Sequence, residues 1–385
     1  MSGGAGMYQR KLNMLELLKK KSFMLFGARS TGKTTLIESQ LHGARVYDLL
    51  DDETFKMLLK RPKIIEEEAL DAKQLIVIDE IQKLPKLLDE VQRLIQKKNL
   101  RFLLTGSSAR KLKHGGANLL AGRAWLAGLF PLSFSEIESF DLLTYLNTGG
   151  LPHIYGNSEA LEELNAYVNV YLREEIQAES LVRQLGAFSE FLDMVALSNG
   201  QEINYASFAS DCQISPSTLK NYFQILEDTL IGLKLPAYTK TKKRKAITRS
   251  KHYLFDIGVT RALAKRGEIV AYSELFGAAF EHFIVLEVRA YLSYNRLDKG
   301  MYYWRSLSQM EVDLIIEDEI ALEIKSSGLV SEKHFKGLRA LQEEKIHKRF
   351  IVVSTDSVKR IVAGGIEVYP WQLFLQELWT GKIIE

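Results

Sequence analysis

The chain has 385 residues, 46% hydrophobic and 26% charged, which supplies apolar surface for two or three domains and excludes a wholly disordered polymer. No stretch approaches the ~18 consecutive apolar residues of a membrane-spanning helix, and the start, MSGGAGMYQRK, lacks the apolar centre of a secretory signal, so a cytoplasmic protein without membrane contact is expected. Lys and Arg exceed Asp and Glu by 51 − 48 = 3, too few to argue for nucleic acid alone, and a single cysteine, Cys212, excludes an internal disulfide and a cysteine-rich zinc site.

The first six residues read as a leader, with Met7 as the start. From Ser22 the order is apolar run, glycine-bounded loop, helical spacing: SFMLF, GARSTGKT, TLIESQL. Strand, loop and helix follow. The loop Gly27-Ala28-Arg29-Ser30-Thr31-Gly32-Lys33-Thr34 satisfies G-x-x-x-x-G-K-[ST], whose N–H groups cradle phosphates at a helix N-terminus. Lys33 is expected on the β- and γ-phosphates, Thr34 on Mg²⁺, and Thr35 beside the nucleotide. Leu75 to Glu80, LIVIDE, reads as a buried parallel strand ending in two carboxylates. Asp79 would hold Mg²⁺, and Glu80 would orient the attacking water. A third strand, Arg101 to Leu104, runs into Thr105-Gly106-Ser107-Ser108. There Ser107 is the candidate γ-phosphate sensor with Thr105 behind it, against the plainer reading of turn hydroxyls.

GARSTGKT, LIVIDE and LLTGSS together resemble an AAA+ P-loop ATPase. The continuation LAGR (Leu120 to Arg123) and PLSFSE (Pro131 to Glu136) resembles a prokaryotic branch in which the ATPase is fused to a C-terminal domain of poorly defined function. The resemblance implies ATP as ligand and gives Arg123 a role on the γ-phosphate, in cis or from a neighbouring subunit of a homo-oligomer.

Between Phe140 and Asn199 the spacing turns helical, in LEELNAYVNVYLREEI and FSEFLDMVALSNG, as expected of a lid over the nucleotide, with Tyr167, Tyr171 and Phe191 as core. Two short helices around a turn then precede LIGLKL. Ser215 caps the second helix and Pro216 opens it. This order predicts a helix-turn-helix with a wing, exposing Ser217, Lys220, Asn221 and Gln224 to DNA. Seven of the twelve residues from Lys240 to Lys251 are Lys or Arg, and this block is expected on phosphates, or as a solvated loop.

In the last third, His252 to Asp256 reads as a strand and about Glu274 to Ser293 as a long helix. Glu311 to Lys325 reads as a hairpin turning near Asp318. Glu323 and Lys325, two apart, share a face opposite Leu322 and Ile324. A first-strand carboxylate with Glu-x-Lys on the second strand suits Mg²⁺ or Mn²⁺ and a pentacoordinate phosphate. The D-x9-E-x-K spacing, followed by a helix (Lys333 to Leu341) and a strand (Phe350 to Val353), resembles the PD-(D/E)XK nuclease superfamily, with Val312 where that motif has proline. The resemblance makes Asp313 and Glu323 the metal carboxylates and Lys325 the catalytic lysine. It also makes Glu281 the helix glutamate completing the site, with Glu287 as its competitor.

The expected fold is α/β: an AAA+ P-loop NTPase core (7–140), a helical lid (141–200), a winged helix (201–250) and a C-terminal PD-(D/E)XK nuclease-like domain (251–385). The expected function is ATP hydrolysis coupled to DNA binding and metal-dependent cleavage. The alternative is a nucleotide-driven switch whose inert nuclease fold binds DNA or a protein partner.

Overall fold

Five short strands carry the N-terminal part in a computed structural model, which describes residues 8–69, 74–108, 119–172 and 185–385. They are β1 (Ser22–Phe26), β2 (Arg45–Asp48), β3 (Leu75–Asp79), β4 (Arg101–Gly106) and β5 (Ala124–Gly128), in the order β2-β3-β4-β1-β5. Every pairing is parallel. Parallel strands covered on both faces read as unbroken apolar runs. β1 and β3 do so, and their side chains divide between two cores, Met24, Phe26, Ile76 and Ile78 on one face and Phe23, Leu25 and Val77 on the other. β2 and β5 lie at the edges with Val46, Trp125 and Leu126 exposed, so neither shows the buried-strand pattern in sequence. All five strands run the same way, so their C-terminal ends meet along one rim.

In the middle of the chain, Leu151, Ile154, Leu164 and Tyr167 share a single core with Phe191, Phe208, Leu219 and Phe223. A boundary at residue 200 would cut through this core. The expected lid stretch divides further. The helix Leu142–Thr148 buries Tyr145 and Leu146 against Phe280 and Phe283 of the long C-terminal helix. Ala160–Ala166 continues as a π-helical turn, Tyr167–Leu172. The Tyr171 side chain, residues 173–176 of the expected helix and the Met7 start lie outside the described residues.

Between these pieces stands a close-packed corner. Gly149 has φ +74°, and a Cβ there would lie 2.6 Å from the Asp256 carboxyl carbon. Asp256 is buried and accepts from the N–H groups of Gly150 (2.7 Å) and Val259 (2.9 Å). Burial pushes its carboxyl up to about 6. A Gly149→Ala chain therefore meets both a left-handed backbone and a buried carboxylate. It is expected to lose about 2–4 kcal/mol, read as a lower urea midpoint. An unchanged midpoint would show that the corner yields.

Strands β6 (Gly232–Leu235) and β7 (Lys251–Leu254) form an antiparallel pair after the helices Tyr205–Asp211 and Pro216–Asp228. Beyond them lie β8 (Met301–Arg305), β9 (Glu311–Ile316), β10 (Ile320–Lys325), β11 (Arg349–Ser354), β12 (Arg360–Val362) and β13 (Ile366–Pro370). Their order is β12-β13-β11-β10-β9-β8. β8, β9 and β10 form an antiparallel meander, and β11 lies parallel to β10. Leu322 and Ile324 pack with Phe280 and Phe283 of the helix Glu274–Tyr294. Ala321 packs with Leu338 and Leu341 of the helix Lys336–Gln342, so the sheet is covered on both faces.

Candidate functional site

The rim of the first sheet assembles the phosphate-loop residues. Gly27 follows β1, and a Cβ there would lie 2.5 Å from the Leu129 carbonyl, so only glycine fits. Gly32 has φ +91° and opens the helix Lys33–Gln40. Lys33 is buried, and its ammonium donates to the carbonyls of Gly27 (2.8 Å) and Ala28 (3.3 Å). Thr34 Oγ1 donates to Asp79 Oδ2 at 3.4 Å. Asp79 Oδ1 accepts from Thr105 Oγ1, which in turn accepts from the Glu80 N–H at 3.2 Å. A threonine hydroxyl and a carboxylate side by side at a helix start are hard oxygen donors that suit Mg²⁺. Arg29 on the loop and Thr34 and Thr35 in the first turn of the helix are exposed, with Ser30 half-buried at φ 65° and Thr31 donating to the Ala28 carbonyl at 2.9 Å.

Three side chains at this rim carry no recognisable motif. Gln82 Nε2 donates to the Glu80 carboxylate and, at 3.3 Å, to Ser107 Oγ, bridging the candidate base and sensor. Arg10 Nη1 donates to the Thr31 carbonyl at 2.6 Å, and Tyr167 donates to the Arg29 carbonyl at 3.1 Å. The loop is thus held from the N-terminal segment and from the middle of the chain. Only Gln82, close behind Asp79 and Glu80, could have been suspected from sequence.

Arg123 stands at the opposite end of this sheet from the phosphate loop, contrary to the expected cis role. Ala124 pairs with Ser22, at the start of β1, whereas the phosphate loop follows the end of that strand. About five residues at ~3.3 Å each separate the two levels, so the cis contact does not fit. Arg123 faces helix Leu87–Lys98 instead: with the Gln96 amide turned to present its oxygen, that oxygen accepts from Arg123 Nε at 2.9 Å.

The second candidate site lies on the β9–β10 hairpin. Asp313 and Glu323 are buried, and Lys325 Nζ lies 3.1 Å from Asp313 Oδ2 and 2.7 Å from Glu323 Oε1. The Ile324 N–H donates to Asp313 Oδ2 at 2.7 Å. Burial, and then the Asp313 charge, hold the Glu323 carboxyl well above its ordinary range. Burial alone would lower Lys325, but the two carboxylates carry it above the usual lysine value. Glu323 Oε2 is buried without a hydrogen-bond partner.

Glu281 does not join this pair as the expected third ligand. Its Oε1 accepts from Tyr253 (2.6 Å) and lies 3.3 Å from Lys251 Nζ. Among the described residues, no three His, Cys, Asp or Glu side chains converge on one cation position. Glu287 is no competitor: it accepts from the Phe134 N–H and from Trp379 Nε1, both at 2.7 Å, and so ties the segment after β5 to the C-terminal helices. Burial pushes its carboxyl up to about 8.

The basic block is less free than its composition implies. Lys240 pairs with Asp318 (2.7 Å) and Arg244 with Glu343 (2.8 Å). Glu344 accepts from the N–H groups of Lys242, Lys243 and Arg244. Lys251 is buried among carboxylates. Lys240, Lys242, Lys243, Lys245 and Arg249 are nonetheless exposed.

Comparison with known families finds an AAA domain over residues 19–138 and two domains of unknown function, DUF8612 over 139–269 and DUF4143 over 276–374. The relatives include uncharacterized proteins of Mycobacterium tuberculosis (26% identical, 76% of this chain and 67% of the relative), Methanocaldococcus jannaschii (26%, 93% and 85%) and Haemophilus influenzae (26%, 50% and 53%). A crystallised Vibrio cholerae protein matches at 10% identity and a TM-score of 0.20, over 94% of this chain and 96% of its own. The AAA domain supports a nucleotide-binding ATPase that uses ATP. Among the described residues no helix is long and apolar enough to cross a membrane.

Proposed function

We propose that the chain hydrolyses ATP at the rim of its first sheet and couples nucleotide state to cleavage of DNA phosphodiesters at Asp313, Glu323 and Lys325. The phosphates would lie on the Gly27–Thr34 loop and Thr35, with Lys33 moving from the loop carbonyls onto the β- and γ-oxygens. Thr34 and Asp79 would hold Mg²⁺, which when bound supplies charge against the phosphates. Glu80 orients the attacking water and takes its proton, Gln82 fixes the Glu80 carboxylate, and Ser107 contacts the γ-phosphate. Arg123 would act only on a neighbouring copy's nucleotide, which makes a homo-oligomer part of the proposal.

The observation that carries the cleavage half is the Glu323 Oε2 atom, buried and unpartnered beside Asp313. A buried carboxylate oxygen without a partner is costly, and a cation shared with Asp313 would satisfy it. When bound there, Mg²⁺ or Mn²⁺ supplies Lewis acidity. Lys325, with its side chain 31% exposed, can then turn toward a phosphate oxygen and stabilise its developing charge.

DNA would be met by the helix Pro216–Asp228, acting as the second helix of a winged helix whose wing is the β6–β7 pair. Ser217, Lys220, Asn221 and Gln224 are all exposed on that helix. The five exposed cations of the 236–250 loop would meet phosphates, a smaller contribution than all seven basic residues would make. A route for coupling also supports the reading. Tyr294 Oη, at the end of the long helix, accepts from Arg10 Nη2 (3.2 Å), and Arg10 also holds the Thr31 carbonyl. Glu281 lies thirteen residues back on that helix, ~20 Å at 1.5 Å per residue.

A second reading, the nucleotide switch with an inert nuclease fold, is favoured by Lys325 bridging both carboxylates. Plasmid nicking in Mn²⁺ separates the two. Glu323→Ala is expected to abolish nicking while ATP hydrolysis stays within about twofold, since the hairpin lies apart from Lys33. Nicking that survives in Glu323→Ala, or none by the parent across metals and nucleotides, would favour the inert fold.

A further inference from the structure

We infer that Lys251 is a resident cation of the carboxylate site, standing between Glu281 and Glu311 where a second divalent ion would otherwise sit, so that the site takes one ion and not two. The inference rests on the proposed metal position at Asp313 and Glu323.

Lys251 opens β7, outside the C-terminal sheet, and reaches the carboxylates from the hairpin that follows the helix pair. Its Nζ lies 2.8 Å from Glu311 Oε1 and 3.3 Å from Glu281 Oε1, and 5.3 Å from the centre of the Tyr303 ring. Two carboxylate oxygens and an aromatic face surround one ammonium.

The two lysines of the site differ in what they can do. Lys325 keeps 31% of its side chain exposed, and its stem can carry the ammonium into solvent when a cation takes its carboxylates. The Lys251 side chain is only 5% exposed. Withdrawing it would leave buried charges unpaired, which is strongly unfavourable. Lys251 is therefore a fixed charge, and Lys325 an exchangeable one.

The charge count agrees with one ion. Glu202, Glu281, Glu311, Asp313 and Glu323 make five carboxylates. Lys251, Lys325 and Arg305, which pairs with Glu202 at 3.3 Å and Glu311 at 3.7 Å, make three cations. With every carboxylate ionised, as an ion at Asp313 and Glu323 would require, the difference of two charges is what one divalent ion neutralises. Glu281 Oε1 is held by Tyr253 as well as by Lys251.

The test counts Mn²⁺ bound to the nucleotide-free full-length chain, from the loss of the free-ion electron paramagnetic resonance signal. The parent is expected to bind one more ion than Glu323→Gln. Lys251→Ala, which leaves room for an ion and its waters between Glu281 and Glu311, is expected to bind one more than the parent. Lys251→Arg should match the parent. An unchanged count in Lys251→Ala overturns the inference while leaving the metal position at Asp313 and Glu323 intact. Equal counts in the parent and Glu323→Gln would overturn that position and the inference with it. If Lys251→Ala lacks a cooperative melt in metal-free buffer, millimolar Mn²⁺ is expected to restore one, because the ion replaces the missing charge. A chain that stays unfolded in Mn²⁺ contradicts the inference.

Discussion

Lys33→Ala is expected to weaken ATP binding by about 100-fold or more, measured by equilibrium titration with a fluorescent ATP analogue. Lys33 is the phosphate loop's own ammonium, and it already lies on the carbonyls of Gly27 and Ala28 at the head of the helix Lys33–Gln40. Hydrogen bonds to charged groups contribute ~1.5–3 kcal/mol each, so losing two such contacts to phosphate amounts to ~3 kcal/mol or more, about two decades of affinity. The fold should survive, because Thr31 Oγ1 still donates to the Ala28 carbonyl and Arg10 still holds the Thr31 carbonyl. A melting temperature within a few degrees of the parent, together with lost binding, is the expected pair of results. Tight binding by Lys33→Ala would place the nucleotide elsewhere.

The parts of the molecule legible in sequence are those whose chemistry is contiguous. The Gly27–Thr34 loop, the Leu75–Asp79 strand with Glu80, and the Glu-x-Lys face of β10 each sit within a few residues, and local period and turn chemistry are enough to place them. The hairpin bending at Glu317 to Glu319 and the helix ending at Tyr294 follow from the same local rules.

What escaped the sequence is long-range pairing. Arg10 reaches Thr31, Glu136 and Tyr294, the last 284 positions away. No pattern along the chain announces this. Lys251 stands at the end of a block whose composition suggests solvent, yet it is buried because β7 pairs beside the C-terminal sheet. Arg123 is reassigned for a related reason. β5 is a short, exposed edge strand without the buried-strand signal, and only its register with β1 shows which end of the sheet the arginine occupies. The core running from Leu151 to Phe223 was hidden as well, since helical spacing shows which face is apolar but not which other helix covers it.

Glu80→Gln is the second large effect, and it separates chemistry from binding. Glu80 follows Asp79 directly, has φ 58°, and directs its carboxylate to Gln82 at the rim where Ser107 also lies. The amide keeps the size and hydrogen-bonding reach of the carboxylate but cannot take a proton from water. General-base catalysis contributes about 10²–10⁴-fold, and the loss falls on turnover alone because Lys33, Thr34 and Asp79 remain in place. The direct measurement is phosphate release from ATP by parent and Glu80→Gln preparations side by side, with bound ATP quantified in each. Equal ATP occupancy with release slowed by about 100-fold or more is the predicted result, and equal rates of release would contradict ATP hydrolysis at this rim with Glu80 as the base.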